Sequence, residues 1–381
     1  MLTESRSADG RAAQVRVVRD LEGLEGLAET WARLDRWSTS PTQGFSWTHA
    51  GAVTFPRAHH LAVLTSGEPL EMAVAPLIEV GGRLEFLGAE ELDEPIDVLS
   101  GDPDALAALA EGLWWSGRPV FLKRVPANSP LIPALERAYQ GRGFVIRRPQ
   151  AAYPWIPIDK SWVEPERHFN AGRRSDFRRA RRIAERWGPV SVQIGLPSPD
   201  QVSPLLDEAI RVEAAGWKGR RGSALACDPI RHAFFRRFAA AACREGVLHL
   251  GLLRIGDRAA AMQLGVECAG RLWLLKIGYD EAFSRCSPGT LLMLEMLRAA
   301  AEGGVGSVEF LGEVEPWTRL WAQQERPCVS LRAYPASGVA ACVFVADLAK
   351  MGWRWFARAR WPGNGDETGL RADGSGAGAS P

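Results

Sequence analysis

The residues best placed to do chemistry lie in the second half of the 381-residue sequence. Ser287-Pro288-Gly289-Thr290 stands directly before a segment, Pro288 to Ala301, that is apolar nearly all round. A Ser or Thr cap with Pro at the first helical position starts a helix well. Gly289 lets a ligand approach the backbone there, and the free N–H groups with the positive dipole end favour a pyrophosphate. A plain capped helix is the alternative. Strand alternation adds a second cluster, because side chains two apart share a face. Gln263 and Glu267 lie with Gly265, Lys276 with Gly278 and Glu309 with Ser307, so polar residues interrupt three otherwise apolar strands. If those faces converge, Lys276 and Glu309 occupy one cleft, where a partly desolvated carboxylate takes the proton from an attacking amine. A buried Lys–Glu pair that only stabilises is the competing account. Glu213 is the other candidate base. It precedes Trp217-Lys218-Gly219-Arg220-Arg221-Gly222, whose Lys218, Arg220 and Arg221 are good phosphate partners and whose Trp217 packs on substrate or in the core. A solvated loop explains the same string.

Other chemistries find little support. The six histidines (His49, His59, His60, His168, His232 and His249) lack motif context, and no Ser-His-Asp or Cys-His set is evident. The six cysteines are scattered, without a CxxC or a Cys/His cluster, so reduced thiols and no metal are expected. With 46 Lys+Arg against 45 Asp+Glu, the net charge of +1 supplies no whole-molecule attraction for nucleic acid or anionic membrane. No signal-peptide core opens the sequence and no run of eighteen uncharged apolar residues occurs, which predicts a cytoplasmic protein without a transmembrane segment. Seven arginines crowd Asn170 to Trp187, but Asp176 and Glu185 interrupt them. That stretch grips RNA phosphates or, more simply, forms a solvated helix face. Ala340 to Trp361 mixes Trp and Phe with Lys and Arg, a pattern for peripheral membrane contact or for packing on the second domain.

These residues need elements to hold them. Length and a 46% apolar share suit two domains with real cores. Apolar spacing in Leu21 to Trp37 predicts a helix, and SGEP and GG turns divide His60 to Leu87 into an antiparallel meander. A helix over Asp102 to Trp115, a strand over Val120 to Val125, a helix over Pro130 to Tyr139 and a strand over Phe144 to Arg148 complete residues 1–160. Residues 161–189 read as an Arg-rich connecting helix. The second domain, 190–336, reads as a strand over Val190 to Ile194, helices over Pro204 to Ala215 and Pro229 to Arg244, three strands from Val247 to Tyr279, the helix from Pro288 and strands at Ser307 to Leu311 and Val329 to Tyr334. A Gly256-Asp257 hairpin joins the first two of the three strands. An amphipathic helix over 337–362 and a disordered tail over 363–381 follow.

The strings GWKGRRGSAL, AMQLGV, LWLLKIGYDEAFSRCSPGTLL and VEFLGEVEPWTRLWA, in this order and spacing, resemble the CelD-like GNAT acetyltransferases, relatives of the FemAB peptidyltransferases. The likeness covers roughly Ala28 to Pro335. It implies an α/β (α+β) chain of two fused GNAT-like units, each a mixed, largely antiparallel sheet flanked by helices. It also implies an acyltransferase, some family members being tied to exopolysaccharide production. The resemblance assigns the Ser287, Gly289, Thr290 turn to acetyl-CoA or another acyl-CoA, and Lys218 and Arg220, by residue type, are the expected partners of the donor phosphates. It leaves Glu309, Glu213 or Lys276 for catalysis and Trp217, Gln263 and Tyr279 for a small-molecule amine acceptor. In this superfamily a backbone N–H beside the thioester usually serves the carbonyl oxygen. The FemAB link makes an aminoacyl-tRNA donor the alternative, and an inactive accessory protein of polysaccharide synthesis a third reading. One motif departs: where relatives often show an Asp in the "DFLG" strand and a Lys before the following Trp, this chain has Glu309 and Thr318, with Arg319 alongside. The first half, whose junction Ser100-Gly101-Asp102-Pro103-Asp104 places two carboxylates at a helix start, is expected to hold no donor.

Overall fold

The computed structural model describes residues 3–6, 12–67 and 72–345, apart from positions 313, 316, 323, 339 and 341. The expected tail over 363–381, and all but the start of the expected helix over 337–362, lie outside these residues.

The first half begins with strands β1 (Thr3–Arg6) and β2 (Ala12–Val18), then helices α1 (Leu21–Glu25), α2 (Ala28–Leu34) and α3 (Phe45–Thr54). The single helix expected over Leu21 to Trp37 is thus two short ones. Asp20 caps α1 through the Gly23 amide at 2.8 Å, and the helix stops at Gly26 before the chain restarts. Strands β3 (Val63–Ser66), β4 (Ala73–Ala75), β5 (Leu77–Val80), β6 (Arg83–Phe86) and β7 (Leu99–Ser100) follow, not as the single meander expected, because β3, β4 and β7 pair in one sheet and β5 and β6 in the other; then come α4 (Pro103–Trp115), β8 (Val120–Pro126), α5 (Leu131–Tyr139) and β9 (Gly143–Pro157).

The second half starts with α6 (Ala171–Trp187), capped by Asn170 as its sequence indicates. Strand β10 (Val190–Gly195), α7 (Pro199–Ala214), α8 (Trp217–Arg220) and α9 (Pro229–Arg244) follow. Helix α7 starts five residues before Pro204, where it was expected to begin. A capping box between Ser198 and Gln201 supplies the true start, and Pro204, inside the helix, forgoes one backbone bond near the end of that first stretch. Strands β11 (Leu248–Ile255), β12 (Arg258–Cys268) and β13 (Arg271–Tyr279) make a meander, then come α10 (Pro288–Glu302), β14 (Ser307–Phe310) and β15 (Gln324–Pro335).

Two sheets result. One has the order β1-β2-β3-β4-β7, and the other runs β10-β11-β12-β13-β14-β9-β15-β8-β6-β5. The long sheet crosses the boundary between halves three times. β9 pairs with β14 through Trp155 to Pro157 and with β15 over the rest of its length, while β15, expected in the second domain's sheet, sits between β9 and β8 of the first. A division at residue 160 therefore cuts chain connectivity but not the sheet. Below β13 and β14, Leu272, Leu274, Val308 and Phe310 pack on Met293, Leu294 and Leu297 of α10. Above them, Met262, Leu264, Val266 and Trp273 pack on Phe234, Phe235 and Phe238 of α9 and on Leu206 and Ile210 of α7.

Candidate active site

The site forms where two neighbouring strands part. β13 and β14 run parallel from Arg271/Ser307 to Leu274/Phe310, and their pairing ends there, while β13 continues to Tyr279 on β12 alone. At the same point Leu264 pairs with Lys276 and Gly265 with Leu274, leaving Leu275 as an extra residue in β13. A bulge of this kind reverses the alternation beyond it. It puts Lys276 on the α9 face with Trp273 instead of under α10, and the ammonium of Lys276 lies 4.8 Å from the centre of the Phe235 ring.

The parting leaves unpaired backbone. Asp280 donates to Ala260 at 2.9 Å, which fixes the phase of the β12–β13 ladder. Counting back by twos, Gly278 and Lys276 point their amides at β12, whereas Ile277 and Tyr279 point theirs at the open edge. Lys218 fills part of that edge, donating from Nζ to the Ile277 carbonyl at 2.8 Å and to Glu213 Oε1 at 3.1 Å. The opening is a cleft of about 350 Å³ lined by residues that include Glu94, Lys218, Gln263, Lys276, Thr290 and Phe310.

The start of α10 borders the cleft through Gly289 and Thr290. Ser287 occupies the cap position, but contrary to expectation its side chain makes no cap bond: the residue is left-handed, with φ of 46°, instead of the extended geometry a capping serine needs. Its carbonyl accepts from Thr290 and Leu291 at 3.0 and 3.2 Å. The early amides of the helix, Gly289 among them, thus have no side-chain acceptor at the cap. Tyr279 is the neighbour of Gly289: a Cβ added to the glycine would lie 3.7 Å from the ring.

Three sequence-predicted roles change. Glu309 is completely buried, and Arg326 grips it with two bonds of 2.7 Å while Ser307 donates at 2.7 Å. It shares a face with Lys276, but it stands opposite Trp273, three residues back along β13, about 10 Å at the rise of a strand. Their expected meeting does not occur, because β15 brings Arg326 to Glu309 first. Glu213 is buried too, its oxygens taken by Lys218 and by the Leu225 amide at 2.9 Å. It orients Lys218 and has no lone side toward the cleft for a proton. Arg220 pairs with Glu281 at the surface and tethers the basic turn to the loop leading into α10. The glycines of that turn serve close packing: a Cβ on Gly219 would lie 1.9 Å from the Ala214 carbonyl oxygen, and one on Gly216 2.6 Å from that of Tyr279. Trp217, Gln263 and Tyr279 do line the cleft. Thr318 is buried, its hydroxyl donating to the Glu315 carbonyl at 2.8 Å and accepting from the Glu315 amide at 3.0 Å, so it closes a turn, while Arg319 is exposed.

Sequence reasoning missed Glu94. It comes from the loop between β6 and β7 in the first half, is buried, and lines the cleft with Oε2 free of any hydrogen-bond partner. Burial pushes its carboxyl above the usual range, opposed chiefly by Lys276, then by Arg124, and by a bond from the Gly312 amide. Burial lowers Lys276 in turn, with Glu94 the main opposing charge. Arg124 fixes the loop: its guanidinium donates to the carbonyls of Asp93 and, at 2.8 Å, of Gly312, directly after β14. No pattern in the string Glu90-Glu91-Leu92-Asp93-Glu94-Pro95 marks the fifth residue out.

Among the described residues no cluster of three or more His, Cys, Asp or Glu is placed to hold a metal ion. No helix among them is long and apolar enough to cross a membrane.

Comparison with known proteins agrees with this geometry. Residues 171–319 match the family model described as an acetyltransferase (GNAT) domain. Residues 171–319 are thus similar to a GNAT acetyltransferase domain, and the whole is a mixed α/β fold. Curated proteins yield no match. Among solved structures the fold is similar to FemX, with a TM-score of 0.54, 11% identity and coverage of 81% of this chain and 95% of that one. It is also similar to the C-terminal domain of a putative lysylphosphatidylglycerol synthetase from Agrobacterium fabrum, with a TM-score of 0.53, 13% identity and coverage of 85% and 96%. A conserved protein of unknown function from Bacteroides thetaiotaomicron gives a TM-score of 0.54 at 10% identity, covering 84% and 99%.

Proposed function

We propose that the protein is an N-acyltransferase that moves an acyl group from acyl-CoA to an amine, with the donor seated where β13 and β14 part. The observation that carries this is the conjunction of three features in one cleft: an open strand edge at Ile277, an uncapped helix start at Gly289, and a buried carboxyl, Glu94, with a free oxygen. The early amides of α10 would take the pyrophosphate. The Ile277 amide would donate to the thioester oxygen as it gains charge. The neutral amine attacks the carbonyl carbon, the carbon–sulfur bond breaks, coenzyme A leaves as the thiol, and Glu94 takes the amine's proton on its way to the leaving sulfur or to water. Lys276 keeps Glu94 ionised enough to accept it, and Lys218 must yield the edge or rotate beside the donor. An amino sugar or other envelope precursor made in the cytoplasm fits as acceptor, since none of this geometry calls for a macromolecule.

The test is thiol release from acyl-CoA across a panel of small amines, comparing the wild type with Glu94→Gln. Turnover of at least one amine, lost in the variant, supports the reading; no turnover with any amine counts against it.

One observation favours a second reading. Arg173, Arg178, Arg179 and Arg182 of α6 are all exposed, and the fold resembles FemX, so an aminoacyl-tRNA donor remains the competing substrate. It predicts RNA binding that weakens steeply with salt.

A further inference from the structure

The wall of the cleft on the α10 side of the sheet is apolar: Leu274, Met293, Phe310 and Trp321 contribute to it. Its volume of about 350 Å³, the space of roughly ten waters, exceeds what an acetyl group needs. One polar side chain interrupts that wall. Gln263 is 2% exposed, its Nε2 donates to Met293 Sδ at 3.6 Å, and its Oε1 has no partner. A buried amide oxygen without a donor is costly, so a group that enters and donates to it gains more than an alkyl chain would.

Resting on the donor reading above, we infer that the transferred acyl group carries a neutral hydroxyl a few bonds from its carbonyl, and that Gln263 is the residue that selects it. Position supports the assignment. Gln263 stands opposite Ile277, whose amide faces the thioester, so a chain running from that carbonyl toward Met293 passes the Gln263 amide within its first few carbons. Charge decides between a hydroxyl and an ammonium. The charged groups lining the cleft are Lys218, Lys276, Glu94 and Glu315: Lys276 is set against Glu94, Lys218 is paired with Glu213 behind the lining, and Glu315 is exposed and bonded to the Trp317 indole. An ammonium at the buried Gln263 amide would meet a neutral amide and a thioether, and the lining carboxylate not paired with a lysine, Glu315, is an exposed one that water screens. A hydroxyl also suits either orientation of the Gln263 amide, because it donates to Oε1 or accepts from Nε2.

The test titrates the wild type and Gln263→Leu with butyryl-CoA and 3-hydroxybutyryl-CoA by calorimetry, checking by thermal melting that the variant is folded. The wild type should bind the hydroxyacyl donor about tenfold more tightly, and Gln263→Leu should bring the two to parity or reverse them. Equal affinities in the wild type, or a preference that survives in Gln263→Leu, would overturn the inference while leaving the donor reading intact. If neither thioester binds, and acetyl-CoA does not bind either, the donor reading fails and this inference fails with it.

Discussion

Glu94 and Lys276 come from different halves of the chain, line the same cleft, and are each the strongest opposite charge acting on the other. Neither half therefore lines the cleft alone, and the first half contributes a buried carboxyl to it as well as support.

Glu94→Gln should lower kcat by about 10²- to 10⁴-fold, the usual worth of a positioned base, with acyl-CoA affinity essentially unchanged. In the wild type the rate should fall as pH drops through the raised carboxyl pKa, because only the ionised form accepts a proton. Lys276→Met removes the main influence that lowers that pKa, so it should move the acid limb of the profile to higher pH. A limb that stays in place would remove Lys276 from the account.

Arg326→Met should destabilise the fold by about 3–5 kcal/mol, since it strands the Glu309 carboxylate in the core. The double variant Arg326→Met with Glu309→Gln should recover much of the loss in urea melts. If Glu309 were the base, its neutral replacement would abolish turnover while leaving stability little changed, the opposite pattern.

Gly278→Val tests how the second half packs. A Cβ there would lie 2.9 Å from Glu213 Cα, so the substitution must push α7 off β13. A loss of about 1–3 kcal/mol is expected from such overpacking, together with displacement of Glu213 and hence of Lys218.

Asp97 gives a pH test outside the cleft. Burial raises its carboxyl to about 7, although Ser129 Oγ and the Val98 amide each donate to it at 2.8 Å. Because the folded pKa lies above the unfolded one, the native state binds the extra proton between about pH 4 and 7. Its stabilising contribution is full below that window and lost as pH rises through about 7, by at most about 4 kcal/mol. Asp97→Asn, which stays neutral, should therefore melt with a flatter pH dependence and gain on the wild type at pH 8 relative to pH 5. Parallel curves would contradict this.

Much of this arrangement could be read in the residues. Asn170 and Gly188 bracket α6 and Gly256-Asp257 joins β11 to β12 through local cap and turn chemistry, and α10 opens at Ser287 to Thr290 as expected although Ser287 makes no cap bond. Trp217, Lys218, Gln263, Tyr279 and Gly289, proposed as donor and acceptor contacts alongside the family resemblance, line one opening. What failed depended on long-range contacts. Local spacing cannot show that β15 crosses into the first half and delivers Arg326 to Glu309, nor that Arg124 holds Glu94 against Gly312. Alternation left a meeting of Lys276 and Glu309 conditional on their faces converging; the bulge at Leu275 puts both on one face, and no local pattern could reveal that bulge or their separation along the strands.

The central claim is a donor seated at the start of α10, and the most direct measurement is calorimetric titration of acetyl-CoA and longer acyl-CoAs into the wild type and into Gly289→Glu. Apart from the edge of Tyr279, a side chain at Gly289 meets open space, so the variant should fold while placing a carboxylate where the pyrophosphate belongs. Micromolar binding to the wild type that is lost in the variant is the predicted result. Folded wild-type protein that binds none of these thioesters, or a variant that binds them as well as the wild type, would contradict it.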